Sequence, residues 1–111
     1  MVRRTGIALL FLGLTPGAHS QPAALTEQQQ AGQLYFTQSC GICHLKPQII
    51  AATFGPALSK ESAGGRDDVL REVILNGTPR MPGFKFNLEP AQVDAIIAYL
   101  KTLPAPPPAP R

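Results

Sequence analysis

Cys40-Gly41-Ile42-Cys43-His44 constrains this chain more than any other stretch. Two thiols separated by two residues and followed at once by an imidazole form the attachment pattern for c-type haem. Each thiol can add across one vinyl group to form a thioether, and the spacing matches the distance between the two vinyls. The imidazole is then delivered to one axial face of the iron, the position that sets haem chemistry. A chain built on this pattern holds a large apolar disc inside its fold by two thioether bonds from one short motif.

The rest of the inventory narrows the reading. The sequence has two cysteines, both in this motif, so no disulfide framework remains to be built. The two histidines are His19 and His44, and the two methionines are Met1 and Met81. His19 and Met1 lie in a segment expected to be removed. One imidazole and one thioether remain, and a low-spin haem needs two axial ligands, so His44 pairs with Met81 by elimination. Two other uses of the cysteines compete. A Cys-x-x-Cys beside alternating strands and helices would suggest a thioredoxin-like redox pair, but no such alternation is visible. A structural zinc site wants four ligands, and only Cys40, Cys43 and His44 offer themselves. A lone methionine is usually core filler, yet Met81 lies in a Pro-rich loop rather than on a helix stripe.

Residues 1–20 read as an address. Arg3 and Arg4 precede the apolar run Ile7 to Leu14, Thr15-Pro16-Gly17 breaks it, and Ala18-His19-Ser20 supplies small residues for cleavage after Ser20. The apolar run is short for a membrane span, so the membrane is met only before cleavage and the mature product is expected in the periplasm. Removing Arg3 and Arg4 from the ten basic residues leaves eight against seven acidic ones. The formal charge falls from +3 to about +1, and two haem propionates would take it slightly negative. The basic balance therefore argues poorly for nucleic acid, and no Lys/Arg cluster interleaved with aromatics is present. About 90 of the 111 residues would remain, a marginal size for an unaided core. The haem itself is the staple such a chain needs, and the apo-chain is expected to be largely unfolded.

Residues 21–103 organise as one domain. Thr26-Glu27-Gln28-Gln29 predicts a capping box opening a helix to about Gln38, with Ala31, Leu34 and Tyr35 on its buried face and Gly32 inside it. Leu45 to Leu58 reads as a loop whose Ile49, Ile50 and Phe54 can line an apolar site. Gly64-Gly65 is expected to start a second helix, with Asp67 and Asp68 at its positive end and Gly77 ending it. Its apolar face is Val69, Leu70, Val73 and Ile74. Thr78 to Phe86 is a stiff loop of two prolines and a glycine. Pro90 then suits a first helical position, and a helix to Leu103 carries Val93, Ile96, Ile97, Leu100 and Leu103 on one stripe, Tyr99 at its border. Residues 104–111 form a Pro-rich tail, polyproline II or disordered. Strand alternation is not evident, and the reading is all-α with long loops.

Cys40-x-x-Cys43-His44, then Gly55-Pro56-x-Leu58, then Met81-Pro82, then the closing Ala98-Tyr99-Leu100-Lys101, resembles the class I (small monohaem) cytochromes c. Four elements in the family's order cover roughly Thr26 to Leu103. The resemblance implies a cytochrome c fold of three main helices and long loops around one covalently bound haem. It implies that Cys40 and Cys43 hold haem c, that His44 and Met81 ligate the iron, and that the other nitrogen of His44 donates to the carbonyl of Pro56. It also implies that Gly32 meets the closing helix near Tyr99, and Phe84 matches the family's Met-Pro-x-Phe. With both axial sites filled, no position remains for substrate, and with His44 on iron no free imidazole remains for catalysis.

The expected function is one-electron transfer between redox proteins, a donor dehydrogenase and an acceptor oxidase or reductase, by a monomer or a subunit of a heteromer. Weak docking suits that task. Ile42, Pro82 and Phe84 offer an apolar patch, and Lys46, Arg80 and Lys85 either steer an acidic partner or are ordinary solvated charges. Two rivals stay open. One is a dedicated cytochrome subunit of a quinoprotein or molybdenum dehydrogenase, with the proline tail as a clasp. The other is a five-coordinate haem sensor or peroxidatic enzyme in which Met81 is unbound.

Overall fold

The computed structural model describes residues 23–46 and 53–105. Within them run α1 (Glu27–Ser39), α2 (Gly41–His44), α3 (Asp67–Asn76) and α4 (Pro90–Leu100), with a 3-10 turn at Ser62–Gly65 ahead of α3. Among the described residues the only β pairing is an isolated bridge between Thr78 and Met81. The fold is all-α, with three longer helices and long connections. No described helix is long and apolar enough to cross a membrane. The expected leader of residues 1–20, the lining residues Ile49 and Ile50, and the tail beyond Ala105 lie outside the described residues.

Helix α1 begins where its cap predicts. The Gln29 amide donates to Thr26 Oγ1 at 3.3 Å, and the Thr26 amide donates to Gln29 Oε1 at 2.9 Å. Its buried face is rotated from the expected one. Gly32 and Phe36 are buried, whereas Leu34 is 55% exposed. Leu34 lies two residues from each, roughly 200° around a helix that turns about 100° per residue. The reason is the partner. A Cβ on Gly32 would sit 1.9 Å from the Ala95 carbonyl oxygen of α4 and 3.0 Å from Tyr99 Cβ. Only a residue without a side chain lets the two backbones come this close, and that contact sets the rotation of α1. One turn on, the Phe36 and Tyr99 rings pack tilted with centroids 5.6 Å apart.

Helix α4 carries the centre of the core. Val93, Ala95, Ile96, Ile97 and Leu100 are buried on it, Val93 and Ile96 almost completely. Pro90 occupies its first turn, where the missing amide costs nothing. It ends at Leu100, short of the expected Leu103, and the chain tightens there. Thr102 donates to the Tyr99 carbonyl at 2.9 Å and Leu103 to that of Leu100 at 3.1 Å.

Helix α3 starts at Asp67 rather than at Gly64-Gly65. Ala63, Gly64 and Gly65 have φ of 55°, 66° and 71°, left-handed values that no right-handed first turn can use. Asp67 and Asp68 still occupy the first turn, and Gly77, at φ 74°, still ends the helix. Leu70 and Ile74 face the core. Two ion pairs lash α3 to α4: Asp67 with Lys101 at 2.5 Å, and Arg71 with Asp94.

Candidate cofactor site

The attachment motif is the turn that follows α1. Cys40 caps that helix, its amide donating to the Phe36 carbonyl at 2.8 Å. The amides of Cys43 and His44 then turn back on the Cys40 carbonyl at 3.1 and 3.0 Å. Gly32, Phe36 and Cys40 therefore share one stripe at four-residue spacing, so the contact that fixes α1 on α4 also aims the first thiol.

The imidazole of His44 is held from its outer side. Its Nδ1 lies 2.8 Å from the Pro56 carbonyl oxygen, which as an acceptor demands the proton on Nδ1 and leaves Nε2 with its lone pair. Pro56 stays in reach because the Gly55 amide donates to the Cys43 carbonyl at 2.7 Å. A Cβ on Gly55 would stand 2.9 Å from His44 Cε1, so the loop backbone runs against the ring. The Thr53 hydroxyl donates to the Gly55 carbonyl and tightens the approach.

Met81 comes to the site on the loop that follows α3. The Thr78 amide donates to the Met81 carbonyl at 2.9 Å and the Met81 amide to that of Thr78 at 3.1 Å, with Pro79 in the turn between them. Beyond it, the amides of Phe84 and Lys85 donate to the carbonyls of Ile74 and Leu75 at 2.9 and 3.1 Å. The loop thereby satisfies the last carbonyls of α3, which have no partner within the helix. Gly77 must be glycine: its φ is 74°, and a Cβ there would stand 2.4 Å from the Met81 carbonyl oxygen.

These pieces enclose one cavity of about 520 Å³, within the roughly 300–1,000 Å³ of ligand pockets. Cys40, Cys43, His44, Pro56 and Met81 all line it, and Phe36, Leu70, Ile74 and Ile96 give it an apolar wall. Two thiols, an imidazole and a thioether around apolar walls are the donor set that haem c requires, and the residues fit that group. The competing uses of the cysteines fare worse. Burial, aided by the neighbouring Cys43, pushes the Cys40 thiol up to about 11. A redox Cys-x-x-Cys needs the opposite, a thiol lowered toward neutrality. Among the described residues no three His, Cys, Asp or Glu side chains gather to hold a metal.

A family model described as "Cytochrome C oxidase, cbb3-type, subunit III" matches residues 27–100. The chain belongs to this family of class I cytochromes c. Its relatives agree. Cytochrome c6 of Limnospira maxima is 34% identical over 77 residues, 63% of this chain and 86% of that one. Cytochrome c-555 of Methylococcus capsulatus is 31% identical over 105 residues, 90% of this chain and 81% of that one. A dihydro-heme d1 dehydrogenase of Pseudomonas aeruginosa is 36% identical over 98 residues. That match covers 86% of this chain but only 18% of the dehydrogenase. The cytochrome carries covalently bound haem c with its iron and transfers electrons to and from other redox proteins.

Not every residue around the cavity of this cytochrome stands out in the sequence. Phe36 is masked by its neighbours Leu34 and Tyr35; its spacing of four from Gly32 is the signal that reveals it. Thr78 and Arg80 line the cavity as well. Their signal is membership of the four-residue turn, Thr78 to Met81, that carries Met81.

Proposed function

We propose that this cytochrome is a periplasmic one-electron carrier working between a donor dehydrogenase and an acceptor oxidase or reductase. In this reading residues 1–20 are a cleaved leader, residues 21–103 are the cytochrome domain, and residues 104–111 are a Pro-rich tail. Cys40 and Cys43 would hold the haem through thioethers, and His44 and Met81 would be the ligands of its iron. The observation that carries the reading is the convergence of all four side chains on one apolar cavity. When bound, haem c supplies a single iron that alternates between ferrous and ferric. The chain's own residues restrict it to that role. The Pro56 carbonyl keeps the proton on His44 Nδ1 and so the lone pair on Nε2, the Met81 thioether would favour the ferrous state and raise the potential, and the apolar wall disfavours water. In this reading no imidazole is left over to act as a general base, and the chain's task is electron transfer rather than catalysis.

A second reading, a permanent subunit of an oxidoreductase, is favoured by two findings. The matching family is described as an oxidase subunit, and the dehydrogenase relative has its similar stretch within a much longer chain. A second polypeptide that co-purifies with the cytochrome would favour this reading, and a monomer would favour the free carrier.

The test is the absorption spectrum of the purified protein in both redox states, with its intact mass. The expected product is coloured, lacks residues 1–20 and is heavier than that polypeptide by one haem. Its ferrous form does not change on exposure to carbon monoxide. A colourless product, or a prompt shift with carbon monoxide, overturns the reading.

A further inference from the structure

Arg80 is the one Lys or Arg side chain among the described residues lining the cavity. Its place is set by backbone. The Thr78-Pro79-Arg80-Met81 turn is closed by the two Thr78–Met81 hydrogen bonds, and the Arg80 amide donates to Thr78 Oγ1 at 3.3 Å. The turn that presents Met81 therefore presents Arg80 beside it. Among the described residues no carboxylate claims this guanidinium. All seven acidic side chains lie among the described residues. Asp67, Asp68 and Asp94 pair with Lys101, Arg66 and Arg71, and neither they nor the other four pair with Arg80.

An unmatched guanidinium at the lip of an apolar cavity fits a ligand with an acidic edge and an apolar body. Haem has that form, with two propionates on one side of a flat macrocycle. We propose that Arg80 is the positioning residue for a haem propionate: it orients the acidic edge of the cofactor toward the Met81 turn and raises the reduction potential. The inference rests on the haem and ligand assignment proposed above. A planar guanidinium suits a carboxylate better than an ammonium does. The sign of the effect follows from charge. A propionate near the iron favours the ferric state, and a cation held against it cancels that preference, so loss of the cation lowers the potential.

The experiment measures reduction potentials of the holoprotein by spectroelectrochemical titration for the native chain, Arg80→Gln, Arg80→Lys and the control Lys60→Gln. Lys60 does not line the cavity and makes the same change of charge. The expected result for Arg80→Gln is a shift of about threefold toward ferric in the one-electron equilibrium, about 28 mV lower at 59 mV per tenfold. Arg80→Lys should recover at least half of that shift. Lys60→Gln should move the potential by less than a third as much, and the Arg80→Gln difference should survive added salt, which screens remote charges beyond a Debye length. Equal shifts for Arg80→Gln and Lys60→Gln, or none for either, overturn the proposal. Native spectra and inertness to carbon monoxide, read on the same samples, report the His44–Met81 assignment separately, so its failure cannot be mistaken for failure of the Arg80 pairing.

Discussion

Where α1 crosses α4, polypeptide meets polypeptide; around the cavity, polypeptide faces a space of about 520 Å³. At the crossing, Gly32 lies against the Ala95 carbonyl, Phe36 packs on Tyr99, and Phe36, Val93, Ile96, Ile97 and Leu100 are each no more than 3% exposed. At the cavity, Phe54 is 76% exposed and Met81 is only half-buried. The first region gains its burial from the chain's own side chains. The second arranges apolar surface around a shape the chain does not itself fill. A domain of this size has little stability to spare, so the reservation of a large apolar surface for haem explains why one protein needs both a very tight helix crossing and a covalent tether.

The comparison can be broken hardest at Gly32. A methyl group on its Cα would stand 1.9 Å from the Ala95 carbonyl oxygen, and backbone cannot step aside as a flexible side chain can. Gly32→Ala should cost about 3 kcal/mol, the upper part of the usual overpacking range, which lowers Tm by more than about 10 °C in a domain of this size. Thermal melts followed at haem absorption and by far-UV circular dichroism check this; a melt within a degree of native means the crossing is looser than described.

Met81→Ala probes the other region. It removes a half-buried side chain, so its expected mark is on the iron and not on the fold. The potential should fall by about 59 mV or more, a tenfold change at one electron. The ferrous protein should bind carbon monoxide, while helix content remains native. Helix loss on the scale of Gly32→Ala would mean that the cavity loop supports the fold as much as the crossing does.

The smallest expected effect lies in neither region. Ala63 holds a left-handed φ of 55° in an exposed turn, a conformation that costs an L-residue roughly 1 kcal/mol. Ala63→Gly should raise stability by up to about 1 kcal/mol, a few degrees in Tm for a domain of this size, with spectrum and potential unaltered. A change in potential would show that this turn communicates with the site.

Much of this can be read without coordinates because the decisive signals are local. The capping box at Thr26, Gly77 after Asn76, Pro90 at a first turn and the Val93-Ile96-Ile97-Leu100 stripe each act through residues a few positions apart. The misreadings share the opposite origin. Periodicity places Leu34 inward, but the rotation of α1 is chosen by a residue 63 positions away, through the Gly32–Ala95 approach. Composition places the start of α3 at Gly64-Gly65, but composition alone does not tell a left-handed turn from a helical one.

The chemistry of the chain is determined by its sequence: two thiols and an imidazole in one turn, and a thioether carried on a stiff loop. Covalent spacing and residue type travel with the chain whatever its fold. Tertiary structure alone decided that Met81 and Arg80 face the same cavity as His44, that the Pro56 carbonyl lies 2.8 Å from the ring nitrogen, and which side of α1 is buried. These depend on backbones that approach from distant parts of the chain, where about one ångström separates contact from collision and no short stretch of residues records the outcome.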